Sequence, residues 1–220
     1  MSTELMDCPN CGTKIKSGFI SSVRLIMKNE VDIINEFHSK KAESYCTKCG
    51  TELYTQYKLQ LLDELESLQK QIQEIIQSIP VISLQNPLQW DYEVIGMVTG
   101  QSTTGTGIIS ELTSSFTDLF GMQSNRFNKK LKGGEDLCFS QLRKQTLDAK
   151  GNAVIAVDID YADVGGEKGM LMVCMTGTAI NLKNTGILGE QRAKDIETVK
   201  VLYERLSHLN TFDTTKYIPS

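Results

Sequence analysis

The chain has 220 residues, with 23 Lys+Arg against 27 Asp+Glu and a formal net charge of −4. One or two domains fit that length, and 40% hydrophobic with 23% charged residues excludes wholesale disorder. The acidic balance argues against a generic nucleic-acid binder, and a total of two histidines, His38 and His208, excludes histidine-rich catalytic or metal chemistry. No apolar run nears the ~18 residues of a membrane span. The opening Met1–Asp7 lacks the basic and apolar regions of a secretory signal. A cytoplasmic protein without a membrane partner is therefore expected.

Four of the six cysteines form two matched pairs. The first is Cys8-Pro9-Asn10-Cys11-Gly12, and the second is Cys46-Thr47-Lys48-Cys49-Gly50. In each, a glycine follows the second cysteine, and an aliphatic residue, Ile15 or Leu53, comes four positions after it. A two-residue spacer lets two thiolates bind one metal, and the glycine permits a tight turn around the sulfurs. Together Cys8, Cys11, Cys46 and Cys49 supply four thiolates, the donor set of tetrahedral structural Zn2+. An iron site of the same ligands stays open as an alternative. Disulfides are disfavoured by a reducing compartment. The long spacing between the pairs suits a zinc ribbon over residues 1–54, with intervening strands expected at Val23–Met27 and Val31–Phe37. A closed four-ligand site leaves no position for substrate, so this metal is expected to fold the module. Residues 1–54 hold seven basic and seven acidic side chains. Four thiolates around a divalent ion leave such a module about two charges negative, a poor phosphate binder. Lys14 and Lys48 are expected to offset the thiolates, and His38 to lie on the surface. A protein-binding or purely structural role is preferred over nucleic-acid contact.

Residues 55–80 read as a connecting helix. Leu61, Leu65, Leu68, Ile72, Ile75 and Ile79 alternate spacings of four and three, widened by Leu62 and Ile76, and Pro80 ends the run. The seam suits either a helix packed on its own protein or a self-associating coiled coil. Ser83–Pro87 reads as an irregular linker.

A second pattern starts at Trp90. Tyr92–Thr99 predicts a strand, Gly100–Gly107 a turn, and Ile108–Phe120 a helix stopped at Gly121. The Gly100–Gly107 turn has the glycines of an anion cradle but lacks the Lys-Ser/Thr pair of a nucleotide loop. Arg126–Lys132 reads as a basic loop. Glu135–Ala149 predicts a helix with Leu137, Cys138 and Leu142 inward. Val154–Tyr161 and Met170–Ile180 predict strands joined by the Asp163–Gly169 loop. Glu190–Asn210 predicts a final helix on Ile196, Val199, Tyr203 and Leu206, followed by a loose Thr211–Ser220. Asp158 and Asp160 share a strand face and, with Asp163, could hold a hard cation. Met170, Met172 and Cys174 share another and could hold a soft one. An exposed carboxylate pair and a sulfur-rich core strip are the simpler readings.

Gly151-Asn-Ala-Val-Ile-Ala-Val-Asp-Ile-Asp-Tyr161 and Gly169-Met-Leu-Met-Val-Cys-Met-Thr-Gly-Thr-Ala-Ile180, together with Gly96-Met-Val-Thr-Gly100, resemble the YbjQ-like family. The resemblance spans Tyr92–Asn184. It implies a small dodecin-like α+β domain that assembles into rings, commonly pentamers. The family carries a heavy-metal-binding label, and the resemblance brings no catalytic residue set. The whole chain is thus expected to be α+β. It would comprise a zinc ribbon (1–54), a helix (55–80), a YbjQ-like β-α-β-β domain (81–184) and a C-terminal helix with its tail (185–220). The expected function is a non-enzymatic, zinc-containing, homo-oligomeric binding or scaffold protein. A metal-handling protein with a second site in the core is the alternative, with a nucleic-acid-binding ribbon behind it.

Overall fold

The computed structural model describes residues 5–15, 23–104, 125–163 and 171–214. The chain divides into two compact units, Met1–Gln73 with Leu202–Ser220, and Glu74–Val201. Among the described residues no helix is long and apolar enough to cross a membrane.

The first unit begins with a tight hairpin. The Cys8 amide donates to the Thr13 carbonyl and the Ile15 amide to the Met6 carbonyl, both at 2.8 Å, and Asp7 bridges Lys14. Cys8 is the one fully buried side chain among its described residues. Leu25 makes an isolated antiparallel bridge to Cys46, so the strand expected at Val23–Met27 is reduced to an extended segment. The strand expected at Val31–Phe37 is a helix instead, α1 (Lys28–Phe37). Val31, Ile33 and Phe37 read as alternation, but Ile34 is buried too, and i, i+3 and i, i+4 pairs then share one face. The Glu30 carboxylate fixes the helix start by accepting the Met27 amide at 2.9 Å. Asn35 ties down the loop that follows. Its side chain donates to the Ala42 carbonyl and accepts from the Ala42 amide and the Tyr45 hydroxyl.

The connecting helix starts earlier than residue 55. It is α2 (Thr47–Ile75), and the second cysteine pair sits at its first turn. A short 3-10 turn, Ile76–Ser78, follows it. Leu61 and Leu68 are buried on Val31, Ile33, Ile34, Tyr45, Tyr54 and Leu209, with Leu65, Leu202, Leu206 and Phe212 packed against them. The seam is therefore occupied within the chain at Leu61, Leu65 and Leu68. Lys58 donates to the Thr214 carbonyl, whereas Glu64 meets Arg205, so the two segments run antiparallel. Arg205 joins Glu36 and, in bidentate fashion, Glu64, and His208 Nε2 lies 3.0 Å from Glu36. Phe212 belongs to this core, so the chain is not loose at 211–214; residues 215–220 lie outside the described set.

The second unit is a three-stranded antiparallel sheet in the order β1–β3–β2, built from β1 (Tyr92–Thr104), β2 (Ala153–Asp163) and β3 (Leu171–Leu182). Helix α3 (Asn125–Asp148) lies between β1 and β2 in sequence, giving β-α-β-β. It packs Cys138 and Leu142 onto Val98, Val154, Val173 and Met175. The opposite face buries Ile155, Ile180 and Leu182 with Trp90 and Tyr92. The expected turn at Gly100–Gly107 is strand as far as Thr104, so the anion cradle is not formed there; residues 105–107 and the helix expected at 108–120 lie outside the described residues. The strand runs on because Gly100 lets the α3 backbone approach. A Cβ there would sit 2.7 Å from the Cys138 carbonyl oxygen. Two α3 glutamines then occupy the β1 edge: Gln141 pairs with the Gln101 backbone and Gln145 with that of Thr99.

The basic loop expected at Arg126–Lys132 is helical. There Lys132 pairs with Asp136 along the helix at 2.9 Å. Leu137, expected inward, is 49% exposed because Cys138 takes the inner position. The Ser83–Pro87 linker is irregular, but Pro80–Leu84 before and within it runs beside β2. The Val154 amide donates to the Pro80 carbonyl, and Val81 bridges Val154 in parallel. The final helix is α4 (Glu190–Leu209).

Candidate metal centre

The two cysteine pairs, far apart in sequence, meet in the first unit. One ligand sulfur from each of Cys8, Cys11, Cys46 and Cys49 lies within 4.8 Å of all the others. Three separations are 3.7 Å (Cys8–Cys49), 3.6 Å (Cys11–Cys46) and 3.8 Å (Cys46–Cys49). A tetrahedral ion with metal–sulfur bonds of about 2.3 Å requires sulfur–sulfur edges of about 3.8 Å. The four residues thus fit Zn2+ in both donor chemistry and spacing. None of the six cysteines is paired as a disulfide.

The two pairs reach this arrangement differently. Cys8 and Cys11 sit on the hairpin, where Gly12 takes φ +68°, the left-handed turn that a glycine adopts without a Cβ penalty. The Gly12 amide donates back to the Cys8 carbonyl at 2.8 Å. Cys46 immediately precedes α2 and Cys49 lies in its first turn, where the free amides and helix dipole favour a thiolate. Gly50 is not there for a positive φ. A Cβ at that position would lie 2.9 Å from side-chain atoms of both Ile26 and Tyr45, so this glycine provides room for the core.

The sulfurs are also unequal. Cys8 is 2% exposed and Cys46 is fully buried, and the Cys46 amide donates to Cys8 Sγ at 3.2 Å. Cys49 is half-buried and Cys11 is exposed. Burial, helped by the neighbouring Cys11 and Cys8 sulfurs, pushes the Cys49 thiol up to about 12 against the opposing effect of the Asn10 side chain. The Thr13 hydroxyl and then the Thr13 amide pull the Cys11 thiol down to about 6. Four sulfurs this close resist collective ionisation unless a cation offsets them, which is what a bound divalent ion supplies. Lys14 and Lys48 are exposed beside the pairs. His38 does not join the cluster, and it is not simply a surface residue. It is half-buried, with Nδ1 2.8 Å from the Tyr57 hydroxyl.

The sheet unit's candidate residues do not assemble comparably. Among the described residues, the four cysteines are the sole group of three or more His, Cys, Asp or Glu positioned to share an ion. Asp158 and Asp160 are exposed, opposite Thr176 and Cys174 on β3. An Asp160 carboxylate oxygen accepts its neighbour Tyr161's amide at 2.9 Å. Cys174 and Met172 are half-buried, while Met170 and the Asp163 side chain lie outside the described set. Cys138 is fully buried, with its thiol donating to the Val173 carbonyl at 3.4 Å. Sequence reasoning found all four clustered cysteines. It missed Thr13 and Asn10, whose polar side chains next to a Cys-x-x-Cys pair were the available signal.

Comparison with known proteins divides along the same line. Residues 89–183 match the YbjQ family model, described as "Putative heavy-metal-binding". A UPF0145 protein of Clostridium botulinum is 32% identical over 106 residues, which is 48% of this chain and 96% of that protein. A crystal structure of a Pediococcus pentosaceus protein of unknown function, from the DUF74 family, covers 49% of this chain and all of its own at 14% identity and a TM-score of 0.36. Cys8, Cys11, Cys46 and Cys49 all lie outside the matched residues 89–183.

Proposed function

Since the chain belongs to the UPF0145, YbjQ-like family, we propose that it is a non-enzymatic binding protein in which a family α+β domain is joined to a separate structural zinc module. Cys8, Cys11, Cys46 and Cys49 hold the ion. The observation that carries this reading is the sulfur tetrad: all four sulfurs lie within 4.8 Å of one another, and three of their separations, 3.6–3.8 Å, match the edges of a zinc tetrahedron. Four protein ligands close the coordination shell, so the ion joins the hairpin to α2 and presents no open position to a substrate. Residues 1–54 act as a ribbon-like module that is structural or protein-binding, and the YbjQ-like domain assembles the chain into a homo-oligomer, with the pentamer as the form the family resemblance suggests. Elemental analysis of the purified full chain tests the metal: one zinc per chain is expected, and iron at that stoichiometry would replace zinc in the account. Light scattering tests the assembly, and a monomer would remove the oligomeric part.

The family description favours a second reading, a metal-handling protein with a further site in residues 89–183. Metal retained at stoichiometric level when all four clustered cysteines are changed to serine would support it, and a metal-free variant would reject it.

A further inference from the structure

The cluster has a closed side and an open side. Cys8 and Cys46 are buried and tied to each other by the Cys46 amide, and Cys49 sits half-buried in the first turn of α2. Cys11 alone of the four is exposed. Its sulfur is 3.2 Å from the Thr13 hydroxyl, which is on the same hairpin rather than in the core. Apart from its chain neighbours, no atom of the described residues lies within 4 Å of where a Cβ on the adjoining Gly12 would be. An incoming sulfur ligand therefore finds the most open access at the Cys11 vertex of the tetrahedron, with Cys49 half-covered and Cys8 and Cys46 buried. Zinc–thiolate sites exchange by ligand substitution, in which a new thiolate enters as an old one departs.

We infer that when thiolate acceptors draw the metal from this structural site, the handover starts at Cys11. The inference rests on the four-cysteine metal reading above and adds a direction to it. The acceptor's sulfur forms a bond to the ion while the Cys11 sulfur–metal bond breaks, and Cys11 leaves as a thiolate with its electron pair. One thiolate enters and one departs, so charge balances and nothing is oxidised or reduced. Cys49 is the second ligand to leave, and Cys8 with Cys46 are the last, in the order of their exposure.

The test is timed alkylation of the zinc-loaded full chain with iodoacetamide, reading each cysteine by peptide mass spectrometry and bound zinc on the intact protein. Cys11 should be modified on the order of tenfold faster than Cys8 or Cys46, with zinc still bound when Cys11 first reacts. In parallel, zinc transfer to a monothiol and to a Cys-x-x-Cys peptide should rise with acceptor concentration, and Cys11→Ser should accelerate it about tenfold. Response to the peptide alone would identify a protein acceptor, and response to both a small thiol. Zinc bound at one per chain, with all four cysteines reacting together or with Cys46 first, overturns the handover while leaving the metal reading standing. A chain that binds no metal overturns both. Because the alkylation order is read on the unaltered protein, the result does not depend on whether Cys11→Ser folds.

Discussion

In the sheet unit, backbone meets backbone. Gly100 brings α3 against β1, and buried Val98, Leu142, Val154, Val173 and Met175 fill the space between helix and sheet. The Met6–Ile15 hairpin of the cysteine unit has no such filling. Its one fully buried side chain is Cys8, and its route to the rest of the unit is through sulfur. Apolar burial stabilises by roughly 25 cal/mol per Å², so a segment with almost none must be fastened in another way. On the proposed reading, the family domain is held by its apolar core and the cysteine module by its ion.

Removing the metal is the strongest way to break that contrast. Structural zinc contributes about 10–16 kcal/mol of apparent binding energy in small modules. Chelation, or Cys46→Ser, is expected to abolish amide protection across residues 6–15 while the β1–β3–β2 amides keep theirs. Hydrogen exchange with mass spectrometry reads both units in one experiment. Equal loss in the two units would show that they do not differ as described.

The reverse perturbation is Gly100→Ala. The new Cβ would lie 2.7 Å from the Cys138 carbonyl oxygen and 2.9 Å from its Cα, and backbone atoms cannot rotate away. We expect a loss of about 2–3 kcal/mol in the sheet unit, seen as a lower denaturant midpoint with metal content unchanged. A smaller effect is expected from Arg205→Ala, which removes the link between Glu36 and Glu64. These groups are partly exposed, so the cost lies between that of surface and buried pairs, about 1–2 kcal/mol, confined to the cysteine unit.

The mildest effect is acid. Burial acts to raise the Glu36 carboxyl, but the hydrogen bonds from His208 and Arg205 outweigh it and hold the group below its ordinary 4.5. A depressed carboxyl contributes stability that is fully present above the unfolded value and is lost as pH falls through the folded one. The cysteine unit should therefore weaken below pH 4.5, by roughly 1 kcal/mol or less from this group. Comparing apo wild type with apo Glu36→Gln separates that contribution from acid release of metal.

Much of this was readable from residues alone. The paired Cys-x-x-Cys segments, the Leu61–Leu68 seam and the three β-branched strands carry strong local signals. The α1 segment reads as a strand because Val31, Ile33 and Phe37 satisfy a period of two, and the buried Ile34 that settles the matter counts only when its partners are known. Gly12 and Gly50 occupy equivalent places in the sequence, yet one serves a left-handed turn and the other makes room beside Ile26 and Tyr45. Local sequence cannot distinguish these uses, because the second is decided by how Ile26, far upstream, and Tyr45 pack around it. The Arg205 clamp was hidden for the same reason, since its partners Glu36 and Glu64 lie 169 and 141 residues away.

The most direct measurement is native mass spectrometry of the full chain beside its Cys46→Ser variant, with thiol counting on each. The account predicts one tightly held divalent ion per wild-type chain and its loss in the variant. Metal-free wild-type protein whose four clustered thiols alkylate at the rate of a free cysteine, with the 6–15 hairpin still protected, would contradict it.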